Sequence, residues 1–180
     1  ASIMAKKASV GSTHLLIEIP MGAGAKVADR KRARHLDRKF KTLGKFLGIK
    51  VTSMITDGSQ PIGHGIGPVL EIRDCLRLLM NDDKAPKDLR KKSLIMAGKL
   101  LEFTGKSRSG VKKATELLES GAALDAFDRM VRAQGGKLVD PEKLKPGCHT
   151  FMYKASKAGR VSSIDNIAFA HMARVAGAPK

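Results

Sequence analysis

The chain has no tryptophan, one tyrosine and two cysteines in 180 residues, and half as many acidic as basic side chains, 17 against 34. Each shortage excludes something. Cys75 and Cys148 stand 73 positions apart with no CxxC pair, which rules out a disulfide framework or a cysteine-built zinc site and fits a reducing, cytoplasmic home. His14, His35, His64, His149 and His171 show no ligand spacing, so no metal site is expected. No apolar run approaches the roughly 20 residues that cross a bilayer. The opening ASIMAKKASVG also lacks the apolar core and cleavage site of a signal peptide. A soluble chain without a membrane partner is the expectation. What is present is a net charge of +17 on a chain that is 42% apolar: enough aliphatic surface for a core, in one medium domain or a domain and a piece of another.

The order of elements is legible from periodicity. Ser2 to Ser9 can form a short helix that Gly11 ends; it starts at Ala1 without a capping residue ahead of it, as a piece of a longer protein would. Leu15, Leu16, Ile17 and Ile19 form a nearly unbroken run of strand length, which reads as a buried parallel strand. After Pro20 to Gly24, Leu36, Phe40, Leu43 and Leu47 make one helical stripe, and Val51 to Thr56 a second strand. Strand, helix and strand in that order imply an α/β fold with a mostly parallel sheet flanked by helices. Pro68 opens a helix to about Met80. From Pro86 the pattern is wholly helical, with Leu89, Met96, Leu100 and Phe103 on one face and Leu117, Leu124, Phe127 and Val131 on stripes around Gly121, up to Gly135-Gly136. Beyond the Pro141 to Pro146 linker, Phe151, Tyr153 and Ala155 alternate as a strand would, and Asp165 can cap a helix through Val175, as the start of a small α+β unit.

Ten positive charges lie between Lys26 and Lys50, mostly opposite the apolar stripe of that helix. They make either a solvated helix face or a surface that gathers phosphate. With no Trp and one Tyr no stacking platform for single-stranded bases is expected, and no helix-turn-helix, RNA-recognition or zinc-finger spacing is visible. A basic nucleic-acid-binding module stays as the reading from another class.

Three features could carry chemistry. The turn Pro20-Met21-Gly22-Ala23-Gly24-Ala25-Lys26 follows a strand and precedes a helix, where open α/β sheets bind ligands; its glycines either reverse the chain or let a ligand approach, with Lys26 as a mobile charge for phosphate. Four glycines between Gly58 and Gly67 point to some close backbone approach, while His64 among them has no spaced carboxylate and reads as a surface residue. Ser2 and Lys6, four apart, share a helix face, a spacing that by itself carries no function.

Taken together, Ala1-Ser2-Ile3-Met4-Ala5-Lys6-Lys7, the segment Ile17 to Lys26, and TDGSQPIGHGIGPVLE from Thr56 to Glu71 resemble the thymidine phosphorylase family in motif and order, over essentially the whole chain. Gly11-Ser12-Thr13-His14, the Lys26 turn and Gly67-Pro68 are closer to its long bacterial members and to archaeal AMP phosphorylases. The resemblance implies residues 1–10 as the last helix of a small helical domain, 11–137 as the second part of an α/β domain, and 138–180 as the start of a C-terminal α+β domain. It implies phosphorolysis of thymidine to thymine and 2-deoxyribose 1-phosphate, or of AMP in the nucleotide-cleaving relatives. The partners are then a nucleoside or nucleotide and inorganic phosphate as co-substrate, with no cofactor and no nucleic acid. By the same resemblance Ser2 and Lys6 hold the base and Lys26 suits a 5′-phosphate. A monovalent cation would sit near Ile62, Gly65 and Asp74, the last a shorter acid than relatives carry. The family's phosphate loops have no match here, so the isolated chain should not turn over; the full-length protein is expected to be a homodimer.

Overall fold

The computed structural model describes residues 2–178; Ala1 of the opening motif and positions 179–180 of the expected C-terminal domain lie outside the described residues. Its elements are α1 (Ser2–Ser9), β1 (His14–Met21), α2 (Arg30–Phe46), β2 (Lys50–Asp57), α3 (Pro68–Leu79), α4 (Lys87–Phe103), α5 (Gly110–Glu119), α6 (Ala122–Ala133), a 3-10 turn (Pro141–Lys143) and α7 (Asn166–Val175). The two strands pair in parallel, from His14 opposite Lys50 to Met21 opposite Asp57, with α2 as the crossover. The fold is α/β, and the sheet among the described residues has two strands. None of the described helices is long and apolar enough to cross a membrane.

The chain divides into two compact units, Ala1–Gln60 with Ser93–Ala114 and Pro61–Lys92 with Thr115–Lys180. In the first, alternation along the strands sends odd-numbered residues to one face. There Ile17 and Ile19 are buried with Met4 of α1, Val27, Ala33 of α2 and Ile49, and Leu15, Met21, Leu36, Phe40, Val51 and Ile55 pack around them. Asp29 starts α2 by accepting the amide of Arg32 at 2.8 Å, which satisfies one of the helix's unpaired first-turn donors. Glu102 on α4 accepts the amide of Gly110 at the head of α5, 2.8 Å away.

The second unit buries Leu76 and Leu78 of α3 and Leu118 of α5. Asn81, in the left-handed region at φ 54°, holds its turn by donating its side-chain amide to the Leu118 carbonyl at 2.9 Å. Arg77 and Glu142 join α3 to the 3-10 turn at 2.7 Å. Their hydrogen bond is also the main reason that the Glu142 carboxyl lies below its ordinary range. Asp165 caps α7 through the amides of Ile167 and Ala168, as its position before the apolar run predicts. The strand expected at Phe151, Tyr153 and Ala155 does not form: Phe151 and Tyr153 are 90% and 86% exposed and the segment is irregular. Alternation alone cannot make a strand, because a strand's amides need a paired neighbour, and none pairs with this segment among the described residues.

Candidate functional site

Helix α1 is fixed to the core by Met4, which is 1% exposed. Ser2 and Lys6 lie two residues to either side of it, about half a turn round the helix in each direction. Both therefore point opposite to Met4, side by side on one exposed face. The face they share is the outward side of α1.

Lys26 is exposed and stands next to buried Val27. The turn before it is closed on itself: Gly22 donates its amide to the Val27 carbonyl at 3.0 Å, and Ala25 donates to that of Gly22 at 3.1 Å. Its glycine is explained by a neighbour within the unit. A β-carbon on Gly22, at φ 143°, would stand 2.9 Å from that of Ser59, and one on Gly58 would stand 2.8 Å from that of Pro20. Gly58 also donates to the Met21 carbonyl at 2.8 Å. The turns at the carboxyl ends of β1 and β2 are therefore pressed together at the edge where α/β sheets place ligands, and Lys26 belongs to that edge.

Glu18 is a feature that the sequence reading passed over. On the even-numbered face its Oε1 accepts the hydroxyl proton of Thr56 at 2.6 Å, near the same strand ends. The signal was one acid inside an apolar strand run, Leu15-Leu16-Ile17-Glu18-Ile19.

In the second unit the glycine loop makes the expected close approach, but to its own helix. A β-carbon on Gly65 would meet the Leu70 backbone at 2.5 Å. Three carboxylates take up the loop's amides: Asp74 Oδ2 accepts from His64 and from Gly65, both at 2.7 Å. Asp88 accepts from Gly63 at 3.1 Å, and Glu71 from Gly67 at 2.9 Å. Ile62 is exposed and Asp74 is buried, so of the residues implied for a cation, Asp74 spends its Oδ2 on amide donors of the loop. Among the described residues, no group of three or more His, Cys, Asp or Glu side chains could hold a metal ion. His64 is exposed, as its lack of a carboxylate partner suggested. The thiol of Cys75 is pushed upward, first by burial and then by the charges of Asp74 and Glu71, which keeps it protonated and a poor nucleophile.

No protein-family model matches the sequence. Known proteins do. A protein of Albidiferax ferrireducens named "Putative thymidine phosphorylase" is 46% identical over 182 residues, which is 100% of this chain and 35% of that protein. AMP phosphorylase of Methanococcus aeolicus is 43% identical over 100% of this chain and 36% of its own length. The bifunctional ribose 1,5-bisphosphokinase-thymidine phosphorylase of Cupriavidus pinatubonensis is 43% identical over 100% of this chain and 30% of its own. Along its whole length the chain is homologous to proteins carrying these phosphorylase names. It spans about a third of the length of the curated relatives it matches. Of the three residues singled out through the family resemblance, Ser2 and Lys6 share a face of α1, and Lys26 lies on a separate segment of the same unit.

Proposed function

We propose that this chain is part of a nucleoside phosphorylase, a pentosyltransferase that releases thymine from thymidine with inorganic phosphate as co-substrate and without a cofactor. The similarity along the whole chain to relatives carrying that name supports this reading. In the reaction a phosphate oxygen bonds to the sugar C1′ while the C1′–N bond breaks and its electron pair leaves with the base. Ser2 and Lys6, on one exposed face of α1, are the groups assigned to that base. A hydroxyl and an ammonium there stabilise charge that grows only toward the transition state. The organisation that goes with this reading is a helical-domain helix over 1–10, an α/β segment over 11–137 and the opening of a C-terminal α+β domain over 138–180. The phosphate loops lie elsewhere in a cytoplasmic, homodimeric protein, and the 180-residue chain alone is inactive.

AMP is the second reading, favoured by an exposed lysine in the strand-end turn and by the relative named AMP phosphorylase. Lys26 would then meet the 5′-phosphate.

The test is phosphate-dependent release of thymine from thymidine by the full-length protein. Ser2→Ala and Lys6→Ala are each expected to lower kcat/KM about 10²-fold. Wild-type turnover in both variants would refute the base site. Absence of phosphorolysis with both thymidine and AMP would refute the activity.

A further inference from the structure

Helix α2 carries more positive charge than its Asp29 cap and its Asp37–Lys41 ion pair offset. Within Arg30–Phe46 it carries eight Lys or Arg and a single acid, Asp37. Its first turn has no acidic residue and begins Arg30-Lys31-Arg32, where the positive end of the helix dipole disfavours cations. Arg30 and Arg34, Arg34 and Arg38, and Lys41 and Lys45 are like charges four apart, an arrangement that destabilises a helix. A face that merely needed to stay in water would mix the signs.

These charges are also ordered. Lys31, Arg34, Arg38, Lys41 and Lys45 recur at spacings of three, four, three and four, which aligns them along one side of the helix. The row is about 21 Å long at 1.5 Å rise per residue. All five are exposed; the one acid of the helix, Asp37, is ion-paired with Lys41 at 2.9 Å and also feels the charge of Arg38. At its far end the row runs into a cavity of about 430 Å³, lined by Lys41, Lys45 and Lys50 and by the apolar Ile49, Val51 and Phe103. Phe46, beside it in sequence, is 87% exposed.

We propose that α2 and this cavity form a docking surface for single-stranded nucleic acid, with phosphates along the cation row and one unstacked base against Phe103. Cations that track a backbone, together with an aromatic that takes a base face, are the two components such grooves combine. The row's length suits about four nucleotides, at the lower end of known site sizes. A duplex could not offer the splayed base that the cavity would accept, and a strand supplies both an evenly spaced row of negative charges and an aromatic face at each residue, which a run of acidic side chains does not. This revises the expectation of no nucleic-acid partner. It involves neither Ser2, Lys6 nor Lys26, and so does not depend on the phosphorylase reading.

The experiment measures binding of a fluorescein-labelled oligothymidylate to the full-length protein across a salt series. Affinity should fall with salt, with a log–log slope of about −0.7 per phosphate engaged. The triple variant Arg34→Ala, Arg38→Ala, Lys45→Ala should flatten that slope by about two and bind about 10-fold more weakly or worse. A control triple in the exposed segment, Lys154→Ala, Lys157→Ala, Arg160→Ala, should bind as wild type does. The α2 variant relieves the Arg34–Arg38 repulsion while giving up the attraction of Arg38 to Asp37, so its melting temperature should stay near that of wild type, which separates a lost surface from a lost fold. A strand of the same length with abasic sites should bind about 10-fold more weakly than the intact one. Equal losses in the two triples would show diffuse charge attraction and overturn the surface. Competition by polyglutamate as strong as that by the oligonucleotide would assign it to an acidic protein instead. Equal binding of the abasic strand would overturn the base-holding role of the cavity.

Discussion

Gly44 on α2 and Val51 on β2 are in such close contact that a β-carbon on the glycine would stand 2.4 Å from Val51 Cγ2 and 2.7 Å from the Ile49 carbonyl oxygen. The helix can lie on the strand only because position 44 has no side chain. Gly44→Ala should therefore destabilise the protein by about 1–3 kcal/mol through overpacking, although alanine is the better helix former. A lower urea midpoint at unchanged m-value would register the loss; an unchanged midpoint would mean that the crossing can open freely.

Asp74 holds the glycine loop by two amides, and the Gly65 amide is buried. Asp74→Ala leaves both without an acceptor, at about 1–3 kcal/mol for a buried unsatisfied donor. Asp74→Asn keeps one acceptor oxygen and should lose less. Limited proteolysis between Pro61 and Gly67 should be fastest in the alanine variant, slower in the asparagine variant and slowest in wild type.

Asp37 carries a pH dependence. Burial pulls its carboxyl upward, but hydrogen bonds from Ser53 and Lys41 and the charges of Lys41 and Arg38 outweigh this and hold it below its ordinary value. Its contribution to stability is thus fully present above the unfolded-state value of about 4 and is lost as pH falls through the lowered native one. Wild type should exceed Asp37→Asn in stability at neutral pH, and the gap should close in the acid range below about 4. Paired urea titrations across that range would read it.

Lys26 separates the two substrates. If it meets a 5′-phosphate, Lys26→Ala in the full-length protein should cut kcat/KM for AMP by 10-fold or more while leaving thymidine nearly untouched, since a charge-assisted hydrogen bond is worth about 1.5–3 kcal/mol. Equal effects on the two substrates would deny Lys26 that role.

Much of this architecture could be read from residue order. The nearly unbroken Leu15 to Ile19 run, the Leu36–Phe40–Leu43–Leu47 stripe and Val51 to Thr56 became a parallel β-α-β unit, and Pro68 and Asp165 marked the starts of α3 and α7. The strand at Phe151 failed because alternation describes one chain, whereas pairing needs two. The glycine loops were harder to interpret. Four closely spaced glycines announce a tight approach without saying to what, and here the neighbours are Pro20, the Leu70 backbone and the acids of α3 and α4. For the candidate site, spacing gave the common face of Ser2 and Lys6. That Met4 anchors the opposite side could not be read from one short helix, where Met4 and Ile3 are equally apolar candidates for the core.

Every residue of the principal hydrophobic cluster lies between Met4 and Ile55, and both strands with their crossover helix are complete at Asp57. During synthesis, this nucleus can close once that stretch has left the ribosome, while the helices after it are still being translated. Residues 93–114, which join the same unit, then add to a scaffold already formed.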